Sequence, residues 1–123
     1  MLMAMFLASA TISQAATQAV EEDEIVVMGQ RLNRWTGKYQ IRGAKRKCST
    51  KTSSGDREVD NVGCAAFLKC ADKYQNLTDA GDGKGISKAT RNVLKQDLIG
   101  KMKTCITDQR AVLLRELSAR RPQ

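Results

Sequence analysis

Four cysteines, Cys48, Cys64, Cys70 and Cys105, constrain this chain more than any other feature. They sit in 123 residues, a length that fits one domain. An even count in a small chain with an export-like N-terminus reads as two disulfides. A zinc site needs closer pairs such as C-x2-C, so that two thiolates reach one ion. A redox site needs C-x-x-C. The gaps here are 15, 5 and 34 residues and fit neither. The chain has no histidine, which removes the commonest metal ligand and the commonest general base. Asp56 and Asp60 read as turn and cap residues and not as a catalytic pair. The expectation is a protein without catalytic residues, metal or cofactor.

The N-terminus argues for export. Residues Met1 to Val20 carry no charged side chain. Met, Leu, Ala and Phe dominate Met1–Ala10, and small or polar residues follow. This is the apolar core and cleavage region of a signal peptide, assigned to residues 1–19, with Ala15 or Ala19 before the cut. No apolar run reaches the ~20 residues that span a bilayer, so the mature chain has no transmembrane segment. The expected location is periplasmic or secreted. Cleavage leaves roughly 104 residues carrying the whole formal charge of +8. Aromatics are 4% of the chain, so the core must rest on aliphatic side chains and covalent staples.

Patterning then divides the mature chain. Residues 20–34 form a flexible lead, in which β-branched Ile25-Val26-Val27, closed by Gly29, favours an extended strand. Residues 35–119 form a small disulfide-stapled domain, and 120–123 a frayed tail. Lys38 to Arg42 alternates, with Tyr39 and Ile41 on one face. Lys47 to Ser53 alternates likewise, and Gly43-Ala44-Lys45-Arg46 can make the turn of a β-hairpin. A helix capped by Asp60 or Asn61 follows, with Cys64, Phe67, Leu68, Ala71 and Tyr74 on one face. Thr78 to Gly85 breaks it. Ser87 caps a second helix with an apolar stripe through Leu94, Leu98, Met102, Cys105, Val112 and Leu113. Gly100 costs this helix about 1 kcal/mol. The predicted fold is α+β, a short β-hairpin packed on a two-helix hairpin.

Helix geometry narrows the disulfide pairing. Six residues on one helix place Cys64 and Cys70 ~9 Å apart along its axis and ~120° apart around it, which disfavours bonding to each other. Cys105 lies ~27 Å into the second helix, nearer the depth of Cys64 than of Cys70. The favoured pairing is Cys64–Cys105 with Cys48–Cys70. A later start to the second helix favours Cys70–Cys105 with Cys48–Cys64.

Two stretches suggest function. Glu24-Ile25-Val26-Val27-Met28-Gly29-Gln30-Arg31 resembles the TonB-box region of TonB-dependent outer-membrane receptors, especially those of sphingomonad-type bacteria. Met28 stands where Thr is usual. The resemblance implies an extended strand, Glu24 to Gly29, able to pair with a sheet edge of a TonB-like periplasmic domain. The remainder, through Trp35, Gly37, Cys48, Gly55-Asp56, Gly63-Cys64 and Cys70, is similar to small exported proteins of the same bacteria that have no established activity. Separately, Arg31 to Lys51 holds eight basic residues and no acid. Within it Arg31, Arg34, Arg42, Lys45, Arg46 and Lys47 are candidate contacts to an anionic ligand such as lipopolysaccharide, an anionic polymer or nucleic acid. Export disfavours nucleic acid. Gly81 to Ser87 is a helix–helix connection: it lacks the alternate acidic ligands of an EF-hand and the spacing of a P-loop. The expected function is a non-enzymatic interaction protein that contacts TonB-type machinery through the N-terminal strand. An anion-binding protein and a structural envelope component are the alternatives.

Overall fold

The structure is a computed structural model and describes residues 23–121. The expected signal peptide lies outside the described residues, as do the last two residues of the expected tail. Residues 23–34 form helix α1. Strands β1 (Thr36–Arg42) and β2 (Lys45–Thr52) follow, then α2 (Arg57–Lys73), α3 (Gln75–Gly81) and α4 (Lys88–Arg120). The α+β architecture, with an antiparallel hairpin on helical arms and two disulfides, is as predicted.

The extended N-terminal lead is corrected: 23–34 is helical. Ile25, Met28 and Leu32 are spaced i, i+3 and i+7, so one helical face gathers them. Met28 and Leu32 are buried with Trp35 against Val59, Val62, Leu114 and Leu117, and Ile25 packs on this cluster. Burying two large side chains is worth about 3–6 kcal/mol, which outweighs the strand preference of three β-branched residues. Acidic residues at its start and Arg31 and Arg34 at its end also suit the helix dipole. The Ser118 hydroxyl donates to Glu24 at 3.4 Å, tying α1 to the end of α4.

Helix α2 begins earlier than predicted. Asp56 is its N-cap, and its carboxylate accepts from the backbone N–H groups of Glu58 and Val59 at 3.0 and 3.4 Å. Asp60 instead accepts from the hydroxyls of Ser53 and Ser54, each at 2.6 Å, and from the Ser54 N–H. Its first arm bends at Tyr74 and continues as α3, so the break falls at Asp82 and not at Thr78. Ser87 caps α4 as predicted, accepting from Thr90 N–H at 3.1 Å. Along this 33-residue helix the buried face rotates, from Met102 and Cys105 to Leu114, Leu117 and Ser118. The first pair faces α2 in a cluster with Phe67, Cys70 and Ala71, while the later residues also meet α1. Val112, expected within the stripe, is therefore 40% exposed, and Leu117 is fully buried.

The favoured cysteine pairing is also corrected. The bonds are Cys48–Cys64 and Cys70–Cys105, with Cα separations of 5.6 and 5.9 Å. Depth measured from the start of α4 misleads, because the arm that faces α4 runs on through α3 and ends only at Gly81. Gly81 sits level with Lys95: a Cβ placed on it would meet Lys95 Cγ at 4.0 Å. From that level, Cys70 is eleven residues back and Cys105 ten residues on. A non-reduced tryptic digest is expected to link peptide 48–51 to 58–69 and peptide 70–73 to 104–110. Mass spectrometry showing 48–51 joined to 70–73 would overturn this pairing.

Three helical glycines give a test of the packing. A Cβ at Gly29 or Gly100 meets nothing within 4 Å, whereas at Gly63 it would lie 2.7 Å from the Trp35 ring. Gly29→Ala and Gly100→Ala are expected to stabilise by about 0.5–1 kcal/mol each. Gly63→Ala is expected to destabilise by about 1–3 kcal/mol despite the same gain in helix propensity. Denaturant melts of the three variants check the signs.

Candidate anion-binding face

The hairpin is built to hold one face against the helices and show the other to solvent. Its register pairs Lys38 with Ser49, Tyr39 with Cys48, Gln40 with Lys47, Ile41 with Arg46 and Arg42 with Lys45. The turn is only Gly43-Ala44, tighter than predicted. Gly43 has φ +58, a conformation that glycine adopts without strain at the first position of such a turn.

The inward face is fixed at several points. Trp35 donates its indole N–H to Thr50 Oγ1 at 2.8 Å. The Tyr39 ring stacks on Phe67 with centroids 4.4 Å apart. Cys48 is bonded to Cys64 on α2. At the tip, Arg46 pairs with Asp72 and donates to Gln75 Oε1, and Gln75 Nε2 donates to the Gly43 carbonyl at 3.0 Å.

Strand alternation then sends Lys38, Gln40 and Arg42 outward from β1, and Lys45, Lys47 and Ser49 outward from β2. All six are exposed. Among the described residues, none of the four cations on this face takes an ion pair. Two shallow depressions run along it and share Gln40 and Lys47 in their linings. Lys51 lies next to this face, where the register shifts near Thr36.

The six candidate anion contacts therefore separate. Arg42, Lys45 and Lys47 come together on the outward face. Arg46 points inward and is paired with Asp72. Arg31 lies on α1, 3.3 Å from the Asp56 carboxylate, and Arg34 is exposed on the same helix. Lys38, Gln40 and Ser49 join the face although no charge count selects the two neutral ones. Period-two alternation about Tyr39 and Ile41 is the signal that identifies them.

Residues Glu24 to Gly29 present a different surface. Met28 is buried, Ile25 is half-buried, and Glu24 is engaged by Ser118, while Val26 and Val27 are exposed. The backbone N–H and C=O groups of a helix are used within it. Pairing this segment with a sheet edge requires α1 to unwind and Met28 to leave the core.

A charge clamp closes the opposite end of the domain. Arg121 donates to both Asp56 oxygens at 2.8 and 2.7 Å and lies 3.6 Å from Glu58. The expected fraying at Arg120 is therefore corrected, since Arg120 ends α4 and Arg121 is held in place. Burial pushes the Asp56 carboxyl up. Hydrogen bonds from Arg121, Val59 and Glu58 and the Arg121 charge outweigh that and hold it below its ordinary 3.8. Burial likewise acts against Asp60, and the Ser53 and Ser54 donors outweigh it. The Asp56 contact raises Arg121 in turn.

Among the described residues no group of three or more Asp, Glu or Cys side chains is placed to hold a metal ion. No helix among them is long and apolar enough to cross a membrane. Compared with known protein families, curated proteins and solved structures, the chain matches none.

Both depressed carboxyls stabilise the fold fully above their ordinary value of 3.8, and that contribution fades as pH falls through the lower folded-state value. Stability is expected to hold down to about pH 5 and to drop below about pH 4. Asp56→Asn keeps the cap but loses the ion pairs, so it is expected to lower the neutral-pH plateau and shrink the acid-side drop. Denaturant melts across pH check both. An unchanged acid limb in this variant would remove Asp56 from the account.

Proposed function

We propose that this is a non-enzymatic binding protein of an oxidising, extracytoplasmic compartment, and that it engages polyanionic ligands through the outward face of its β-hairpin. The observation that carries the reading is the exposure of Lys38, Arg42, Lys45 and Lys47 on one face without an acidic partner among the described residues. Like charges at this spacing repel one another, and neutralising them with a ligand relieves that repulsion and releases counterions. The two disulfides and the apolar, uncharged start of the sequence support the compartment. Anchoring of the strands supports binding over mere solvation, because a fixed backbone loses little further freedom when a ligand arrives.

The test is binding of polyphosphate to the oxidised mature protein across a salt series. Affinity is expected to fall steeply with salt. The triple variant K38E/R42E/K47E is expected to lose at least about tenfold in affinity and to flatten the slope by roughly one per contact removed. Lys103→Glu, exposed on α4, is expected to change little. A salt-independent affinity, or equal losses in both variants, would sink the proposal.

A further inference from the structure

The geometry points to a linear acidic polysaccharide, laid lengthwise along the hairpin, as the polyanion this face accepts; this rests on the anion-binding reading above. The outward face is organised as three successive rungs: Arg42 with Lys45, Gln40 with Lys47, and Lys38 with Ser49. Same-face rungs repeat every ~6.8 Å along a strand, so the three span about 14 Å. Every rung carries a cation. Two of them also carry a neutral hydrogen-bonding group, the Gln40 amide and the Ser49 hydroxyl. An acidic polysaccharide offers the matching series, with charged groups at intervals and hydroxyls between them. Ammonium and guanidinium groups bind the acids, while an amide and a hydroxyl can each donate to and accept from sugar hydroxyls.

The same face is poorly made for the other polyanions. Single-stranded nucleic acid is held by aromatic platforms as well as charge. Trp35 is 4% exposed, and the Tyr39 ring has one face against Phe67. Tyr39 is 44% exposed and lines one depression, with its hydroxyl accepting from Arg110 at 3.5 Å, but among the described residues no second exposed ring stands beside it on which a following base could stack. Amphipathic membrane binders bury an apolar face at the headgroup boundary. The six outward residues are all polar or charged. The two depressions share Gln40 and Lys47 in their linings and so follow one another along the strands, an order that suits a chain.

The experiment compares the oxidised protein with its double variant Q40A/S49A against four probes. These are oligogalacturonates of graded length, polyphosphate, oligothymidylate of matched contour length, and vesicles of equal parts phosphatidylcholine and phosphatidylglycerol. Oligogalacturonate affinity is expected to rise with length until the chain covers about 14 Å and then to rise only slowly. Q40A/S49A is expected to weaken oligogalacturonate binding about fivefold or more and to leave polyphosphate binding unchanged. Equal effects of the double variant on both polymers, or no effect on either, would overturn the polysaccharide assignment while leaving anion binding intact. So would tighter binding to oligothymidylate or to the vesicles than to oligogalacturonate. Absence of salt-dependent binding to every probe would remove the anion-binding reading itself.

Discussion

The indole of Trp35 is where the separate pieces of this domain meet. It follows α1 directly, and its backbone N–H closes that helix on the Leu32 carbonyl at 3.1 Å. Its ring lies against Gly37 of β1 and Gly63 of α2 so closely that neither position has room for a Cβ. Its N–H reaches across to Thr50 on β2, and the Arg110 guanidinium of α4 sits over the ring, 5.5 Å from its centroid. One side chain thus touches four elements, and its backbone closes the fifth. A chain with so few aromatics concentrates much of its packing energy in a single large residue, and the two glycines are the steric condition for it. Replacing the indole by alanine removes several kcal/mol of packing at once, on the order of 3–5.

Covalent and ionic ties work outward from that centre. Cys48 contacts both hydrophobic clusters, and its bond to Cys64 fixes β2 on α2. Cys70–Cys105 joins α2 to α4 within the second cluster. Each bridge restricts the unfolded chain, with a typical contribution of about 2–4 kcal/mol. At the far end, Asp56 serves two purposes with one carboxylate. It caps α2 and receives the guanidinium groups of Arg121 and Arg31, which holds the ends of α4 and α1 beside the start of α2. These ties explain how a two-stranded ribbon, marginal in isolation, is held in one register.

That fixed register turns a basic sequence into a basic surface. A run of cations along an unstructured segment presents charge in every direction. In the hairpin, alternation sends Arg46 inward to Asp72 and Gln75, where it anchors the tip. Lys38, Arg42, Lys45 and Lys47 go outward with Gln40 and Ser49 among them. The anchoring arginine and the outward cations are neighbours in sequence and opposite in orientation. Charge counting alone groups Arg46 with Lys45 and Lys47, and the strand period separates them.

Much of the fold was legible in the residues. Turn chemistry at Gly43, alternation on either side of it, the Ser87 cap and the apolar spacing around Phe67 and Met102 are local signals, and local backbone energetics decides them. The sequence by itself also determined the number of disulfides, the absence of histidine chemistry and the cationic character of residues 31–51. Tertiary structure decided the rest. Ile25-Val26-Val27 is a strand by propensity, yet Met28 and Leu32 bury more apolar surface as a helix, and burial wins. Asp56 and Asp60 are equivalent as caps until Ser53, Ser54 and Arg121 are placed around them. The disulfide pairing depended on which turns of α4 lie beside α2, a level that residue counting does not reveal. The burial of Met28 and Leu32, the Arg121–Asp56 pair and the Cys70–Cys105 bond each join residues distant in sequence, which local preference does not see.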